Sequence, residues 1–198
     1  MQKELGTIDL NEFLNDNVID PIQYQYFKNL EKRKIIINDE INSDIIEMAV
    51  LPLMEMDTDG SEMPIEIILN TPGGSVYDGF QLIHTIENLK TPTTIIVTAM
   101  AASMGALIAM AGKNNPNVKT VCSPYSVFLI HSGSDCMAGT TSMIKDQFHF
   151  LEKYERIIED YILSHSKISA DLYNQKSRYE WWFTATEALE MGVVDEII

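Results

Sequence analysis

Cysteine is scarce. The 198 residues hold only Cys122 and Cys136. Two thiols fit neither a disulfide framework nor a zinc site, which needs a clustered set of Cys and His. A reducing compartment is therefore expected. Cations are scarce too: Lys and Arg number 14 against 29 Asp and Glu, a formal net charge of −15. Binding to a phosphate backbone or an anionic membrane needs clustered positive charge, so nucleic acid and membrane surfaces are excluded as expected partners. Repeats and low-complexity tracts are missing as well. The opening stretch, MQKELGTIDLNEFLNDN, lacks the cationic start and apolar run of a secretory signal, and a cytoplasmic location is expected. Long hydrophobic runs are represented by a single charge-free stretch, Thr91 to Gly112, between Lys90 and Lys113. Its small and hydroxylated residues, and its break at Ala101-Ala102-Ser103, read as a buried strand running into a buried helix rather than a membrane span.

The remaining composition is that of a globular domain, 45% hydrophobic and 22% charged. A chain of this length buries roughly 70% of the surface its unfolded form exposes, enough for one core. Residues 1–34 are polar and acidic, with Tyr24, Tyr26 and Phe27 as an aromatic cluster, and predict no defined structure; residues 35–198 read as a single domain. Ile35-Ile36-Ile37 predicts a strand ending at the turn formers Asn38-Asp39. The spacing of Ile45, Ile46, Ala49, Val50 and Leu53 predicts a helix over 41–56, with Ser43 as its cap. Further strands are predicted over 65–69, 93–100 and 126–130. Further helices are predicted over 76–89, 103–111 and 142–164, the last carrying Met143, Phe148, Leu151, Tyr154, Ile158 and Ile162 along one side. Apolar strands alternating with helices imply parallel pairing through crossovers, an α/β fold.

In such sheets, sites form where strands end and helices begin. Three junctions carry unusual residues. Pro72-Gly73-Gly74 permits positive φ and close backbone approach; it lacks the third glycine or the Gly-Lys-Ser/Thr of a phosphate cradle. By itself it reads equally well as a tight turn. Ser103, in Ala101-Ala102-Ser103-Met104-Gly105-Ala106, stands at a helix mouth where backbone N–H groups favour negative charge. That segment is one residue from the G-x-S-x-G elbow, although a serine there more often caps the helix. His131 ends the strand predicted over 126–130 and precedes Ser132-Gly133, well placed for a base, whereas His84 and His149 fall mid-helix and His165 at a polar helix end. A triad needs an acid to hold the imidazole tautomer. Glu180, just before Trp181-Trp182-Phe183, could serve under the cover of those rings, or could be a solvated side chain at a turn. The order Ser…His…acid is not that of lipases and esterases.

Together these segments resemble the proteolytic subunit of the Clp protease, the ClpP family of serine peptidases. Asn70-Thr71-Pro72-Gly73-Gly74-Ser75-Val76 is similar to its glycine-bearing turn. Met100-Ala101-Ala102-Ser103-Met104-Gly105-Ala106 is similar to its nucleophile segment, Phe128-Leu129-Ile130-His131 to its histidine segment, and Trp182 to Asp195 to its C-terminal signature. The resemblance runs from about Arg33 to Ile198. It implies a ClpP/crotonase-type parallel-sheet spiral of β-β-α units with a protruding helix–strand handle. It implies a serine endopeptidase acting on unfolded polypeptides or short peptides. The roles it assigns are Ser103 as nucleophile, His131 as base and acid, and Glu180 as orienting acid. The Gly73 and Met104 N–H groups would form the oxyanion hole, and Gly74, Ser75, Val76, Ser132 and Gly133 would bind an extended substrate. No cofactor and no metal are implied. The implied partners are copies of the chain in a heptameric ring, stacked into a double ring, and an AAA+ unfoldase.

The sequence departs from the family at several positions. Glu180-Trp181 stands where an Asp-Arg step is usual. Ser132-Gly133-Ser134-Asp135-Cys136-Met137-Ala138-Gly139 replaces a glycine-rich handle, and residues 1–34 do not resemble the axial loop. Two other readings stay open on the residues alone. One is a crotonase-like enzyme acting on acyl-coenzyme A thioesters, which shares the fold and the two-amide oxyanion hole. The other is a catalytically silent subunit that builds rings with an active paralogue.

Overall fold

The computed structural model describes residues 20–133 and 137–198; Cys136 and most of the acidic N-terminal segment lie outside them. The chain opens with α1 (Pro21–Glu31), where Asp20 accepts from the Ile22 N–H and Pro21 occupies the first turn, as a proline can. Tyr24, Tyr26 and Phe27 sit on this helix, the Tyr26 hydroxyl donates to the Glu47 carbonyl at 3.1 Å, and Leu30 packs on the core.

Strand β1 (Lys34–Ile37) precedes a π-helical turn (Ile46–Val50) that runs into α2 (Leu51–Thr58). The helix therefore begins later than the apolar spacing predicts, and Ser43 does not cap it: Ile45 holds the cap position without a side-chain bond. Ile41 instead forms a parallel β-bridge with Gly74. Strand β2 (Ile65–Thr71) buries every second residue. It is followed by α3 (Val76–Glu87), β3 (Thr93–Ala102), α4 (Met104–Met110), β4 (Val118–Cys122), β5 (Val127–Ile130), α5 (Thr141–Ser164) and α6 (Ala170–Lys176). The chain ends with β6 (Trp181–Thr184), α7 (Ala185–Glu190) and β7 (Glu196–Ile197). Strands β4, β6 and β7 are additions to the predicted set. The charge-free stretch resolves into β3 and α4, and among the described residues no helix is long and apolar enough to cross a membrane.

The seven strands form one sheet in the order β1-β2-β3-β4-β7, with β5 and β6 branching from β3. The branch explains where the site lies. β3 is long enough to pair with β4 through its first half, Thr93 to Val97, and with β5 through its last residues, Met100 to Ala102. On its other side Thr71 of β2 pairs with Ala101. The carboxyl end of β3 is thus held between β2 and β5. A register shift between Leu69 and Thr71 is bridged by a side chain, the Met100 N–H donating to Asn70 Oδ1 at 3.1 Å. All pairs are parallel except β5 with β6, whose Phe128 and Phe183 stack with ring centroids 5.5 Å apart.

Every residue of α4 is buried, the mark of a central helix. Two glycines let it pack that closely: a Cβ at Gly79 of α3 would lie 2.3 Å from the Met104 side chain, and one at Gly105 would lie 2.6 Å from Thr71 Cγ2. The α5 helix reaches outward. Ile162 and Tyr161 near its end are buried, while Met143, Ile144, Phe148 and Phe150 near its start are exposed. Its middle is pinned by Tyr154, which stacks on Tyr77 at 5.2 Å and meets Phe80 edge-on at 6.2 Å. It supplies the helix of the expected handle. No handle strand occurs between His131 and Thr140 among the described residues.

Candidate active site

The site is assembled at the branch point from three chain reversals. β3 gives way to α4 across one residue, Ser103, which takes φ 53° and ψ −119°. For a non-glycine residue that backbone costs about 1–3 kcal/mol and persists only where its surroundings enforce it. Here the Ser103 N–H donates to the Leu129 carbonyl of β5 at 2.9 Å, and Ala102 pairs with Leu129 in the ladder. The serine occupies the cap position of α4 without capping it. Its Oγ lies 2.8 Å from His131 Nε2. The bland reading of Ser103 as a helix cap is therefore replaced by contact with the second expected residue.

His131 is placed by β5, which it follows directly, and by the Ser132 N–H, which donates to the Ser177 carbonyl at 2.7 Å. The ring is half-buried.

The Pro72-Gly73-Gly74 turn closes the site from β2. Gly73 and Gly74 take φ +98° and +144°, values that glycine adopts freely. A Cβ at Gly73 would meet Ala102 O at 2.6 Å, Ser103 Cβ at 2.7 Å and Met104 N at 2.9 Å. The turn thus lies directly against the start of α4, whose first N–H groups have no partner within the helix. The Gly73 N–H donates to Thr71 Oγ1 at 3.1 Å. On the outer edge the Ile41 N–H donates to the Gly73 carbonyl and the Ser75 N–H to the Ile41 carbonyl, both at 2.7 Å. Backbone groups alternate in direction along extended chain, so the Gly74 N–H faces the opposite edge, toward the end of β3. Ser75 is occupied by the fold: its N–H is bonded to Ile41, and its Oγ accepts from the Asp78 N–H and caps α3.

Glu180 is not brought to the histidine. Its carboxylate accepts from Trp182 Nε1 at 3.0 Å, on an exposed side chain. Its position is nevertheless set by β6. Ile130 pairs with Trp181 in the antiparallel ladder, so Glu180 falls one step beyond, across from His131. The other histidines stand apart. His84 lies beside Asn88, and His149 beside Glu152. His165 is buried, unlike the polar helix end expected for it, with Nε2 2.9 Å from Glu87 Oε1 and its ring stacked on Tyr161.

One residue that positions the site escapes the sequence reading. Thr71 is fully buried; its Oγ1 donates to the Asp39 carbonyl at 2.7 Å while accepting from Gly73. A threonine at a buried position of an alternating strand is the available signal. Trp182, expected as part of a ring cover for Glu180, is itself exposed and holds the carboxylate by its indole N–H. Ser103, Met104 and His131 line a cavity of about 220 Å³ together with Val76, Ser132 and Gly133; Gly74, Ser75 and Glu180 are not part of its wall. A hydroxyl within reach of an imidazole, beside free backbone N–H groups, is equipped for nucleophilic acyl transfer.

Comparison with known proteins agrees with this chemistry. The family model described as Clp protease matches residues 20–198, which extends the likeness upstream of Arg33 to include α1. The chain is 30% identical over 171 residues to ATP-dependent Clp protease proteolytic subunit 2 of Treponema pallidum, covering 86% of this chain and 84% of that one. It is 28% identical over 173 residues to the ATP-dependent Clp protease proteolytic subunit of Deinococcus radiodurans, covering 87% and 83%. It is 27% identical over 176 residues to ATP-dependent Clp protease proteolytic subunit 1 of Salinibacter ruber, covering 88% and 74%. With its α/β parallel sheet and the family match spanning nearly all of it, the chain belongs to the Clp protease family and is a ClpP-like serine peptidase.

Proposed function

We propose that the chain hydrolyses peptide bonds of unfolded polypeptides or short peptides inside an oligomeric ring, with Ser103 as nucleophile and His131 as general base and then acid. The observation that carries this reading is the 2.8 Å approach of Ser103 Oγ to His131 Nε2 at a strained strand–helix turn. In the reaction His131 takes the hydroxyl proton as Oγ attacks the substrate carbonyl. The imidazolium then returns the proton to the leaving amine, and water repeats the cycle to release the acyl group. Glu180 turns from Trp182 to His131 and fixes its tautomer. Met104 N–H, at the start of α4, is one oxyanion donor. The second comes from the Pro72-Gly73-Gly74 turn; because the Gly73 N–H is bonded to Thr71, the Gly74 N–H is the better placed. Substrate lies extended between Gly74-Ser75-Val76 and Ser132-Gly133, as an added strand does.

Assembly is part of the proposal. The exposed Met143, Ile144, Phe148 and Phe150 on α5 form an apolar surface that another copy would cover. The reading includes heptameric rings, stacked in pairs, and an AAA+ unfoldase partner; family membership supports it, and the relatives' names carry the term ATP-dependent. Residues 35–198 act as one cytoplasmic peptidase domain, with residues 1–34 as its N-terminal segment.

The test is treatment of the purified chain with a fluorophosphonate, followed by adduct location by mass spectrometry, alongside peptide cleavage by the Ser103→Ala variant. A single adduct on Ser103 and loss of cleavage in the variant are expected; cleavage retained without Ser103 sinks the assignment. The Glu180–Trp182 contact favours one second reading, a silent subunit in a ring with an active paralogue. Its sign would be unaltered cleavage by a mixed ring in which only this subunit carries Ser103→Ala.

A further inference from the structure

The cavity beside Ser103 has a wall that bond cleavage does not require. Ser103, Met104 and His131 form one side; facing them, α5 contributes Glu155, Ile158, Glu159 and Ile162. That spacing places all four on a single helix face. Ile162 is buried and Ile158 half-buried, so the two form an apolar floor, while the carboxylates stand one turn apart above it. The Asn174 side chain donates to Glu159 Oε1 at 3.4 Å and keeps that carboxylate on the α6 side of the cavity.

Both carboxylates bear on Tyr173, which also lines the cavity. Burial pushes the Tyr173 hydroxyl above its ordinary value; the Glu159 charge adds to the rise, a Ser177 hydrogen bond opposes it, and the Glu155 charge adds to it again. Arg156 and Arg178 also touch the cavity and, like Glu155, are exposed, whereas Glu159 is half-buried. Arg156 is turned about 100° from Glu155 around the helix. Among the described residues no ion pair joins either guanidinium to Glu155 or Glu159. Apolar walls ending in two unpaired carboxylates match a side chain with an aliphatic stem and a cationic tip.

Resting on the peptidase reading above, we propose that this cavity receives the substrate side chain on the acyl side of the scissile bond, and that Glu155 and Glu159 select Lys or Arg there. A purely apolar subsite would follow if Ile158 and Ile162 alone met the substrate.

The experiment uses peptidyl diphenyl phosphonates carrying a lysine-type, a leucine-type or a glutamate-type side chain, with Ser103 adduct formation timed by mass spectrometry. In the wild-type chain the lysine-type reagent reacts faster than the leucine-type by about tenfold, the scale of a charge-assisted hydrogen bond. In the Glu155→Gln/Glu159→Gln double variant that ratio falls toward one. Because the ratio is taken within each variant, a general change in reactivity does not mimic the result. A wild-type ratio at or below one, or a ratio that the double substitution leaves unchanged, overturns the proposal. Preference for the glutamate-type reagent also overturns it and assigns the cavity to Arg156 and Arg178. A small alkyl fluorophosphonate keeps the two readings apart. Ser103 labelling by it without side-chain preference among the peptidyl reagents removes the specificity and leaves the peptidase. No Ser103 adduct with any reagent removes both.

Discussion

Glu180 gives its carboxylate to the indole Nε1 of Trp182, 3.0 Å away and two residues on along the same strand face. Directly across an antiparallel pair, Cβ atoms lie about 4.5–5.5 Å apart, a gap a glutamate spans, so the contact with Trp182 and a contact with His131 are alternatives for one side chain. Trp182→Phe removes the indole donor. Its expected effect on fluorophosphonate labelling of Ser103 is a rise of roughly two- to fivefold, the worth of a solvent-screened hydrogen bond to a carboxylate. Glu180→Gln is expected to lower the labelling rate about 10²-fold by losing control of the tautomer. Equal rates in wild type and both variants would remove Glu180 from the mechanism.

The Gly73 position tolerates no side chain. An alanine there is strained at φ +98° and meets the backbone of Ala102 and Met104. Gly73→Ala is expected to lose about 1–3 kcal/mol of stability from strain. The clash pushes the turn away from Ser103, and a displacement near 1 Å lowers peptide cleavage about 10²-fold. Denaturant midpoints and cleavage rates check both. Wild-type cleavage in this variant would mean that the turn does not hold the site.

Thr71 joins three parts of the fold. Its hydroxyl links the Asp39 carbonyl to the Gly73 N–H, and its methyl packs against Gly105. Thr71→Val leaves the buried Gly73 N–H and the part-buried Asp39 carbonyl without this partner, and about 2 kcal/mol is the expected loss. Thr71→Ser keeps the hydroxyl and loses a methyl, at about 1 kcal/mol. Urea unfolding with unchanged slope reads the order of the two losses. A larger loss for Ser than for Val would mean that packing, not hydrogen bonding, holds the turn.

Asp57 ties the end of α2 to the start of the β3 arm. Burial alone would raise its pKa, but the Thr91 and Lys90 N–H groups, donating to Oδ1 at 2.7 and 2.8 Å, outweigh burial and hold it below the ordinary value of 3.8. A carboxylate whose folded value is depressed adds stability that is complete above the unfolded value. That contribution is lost as pH falls through the folded value, so the decline starts below about pH 5. Asp57→Asn is expected to flatten the fall of the unfolding midpoint across that window. An unchanged pH slope would show that the tie carries no proton linkage.

The strands beginning at Lys34, Ile65, Thr93 and Val127 were legible because each is an apolar run bounded by turn formers, and their burial is a local property of the pattern. Ser103 and His131 were legible for a related reason: each ends such a run, one among small residues and one before glycine. The helix expected from Ile41 failed where a long-range partner intervened. A Cβ at Gly74 would lie 2.2 Å from the Ile41 carbonyl, so only the glycine's bare backbone, distant in the chain, lets Ile41 pair as a strand. Strands β4 and β6 escaped although β1 and β5 are as short: Lys119 and Thr120 break the apolar run of β4, Trp181-Trp182-Phe183 reads as a ring cover for Glu180, and each strand is held by pairing with a distant neighbour.

The α/β class, and the positions of Ser103 at a strand–helix junction and His131 just past a strand end, could be read from the chain alone, since apolar periodicity and junction residues are local in it. Three things depend on the folded chain: that Ser103 faces His131 rather than capping its helix, that Glu180 rests on Trp182, and that two α5 carboxylates line the same cavity as Ser103. Each depends on side-chain direction and on contacts between segments far apart in sequence. No local pattern encodes them, because the energies that fix them arise only when the branched sheet has closed.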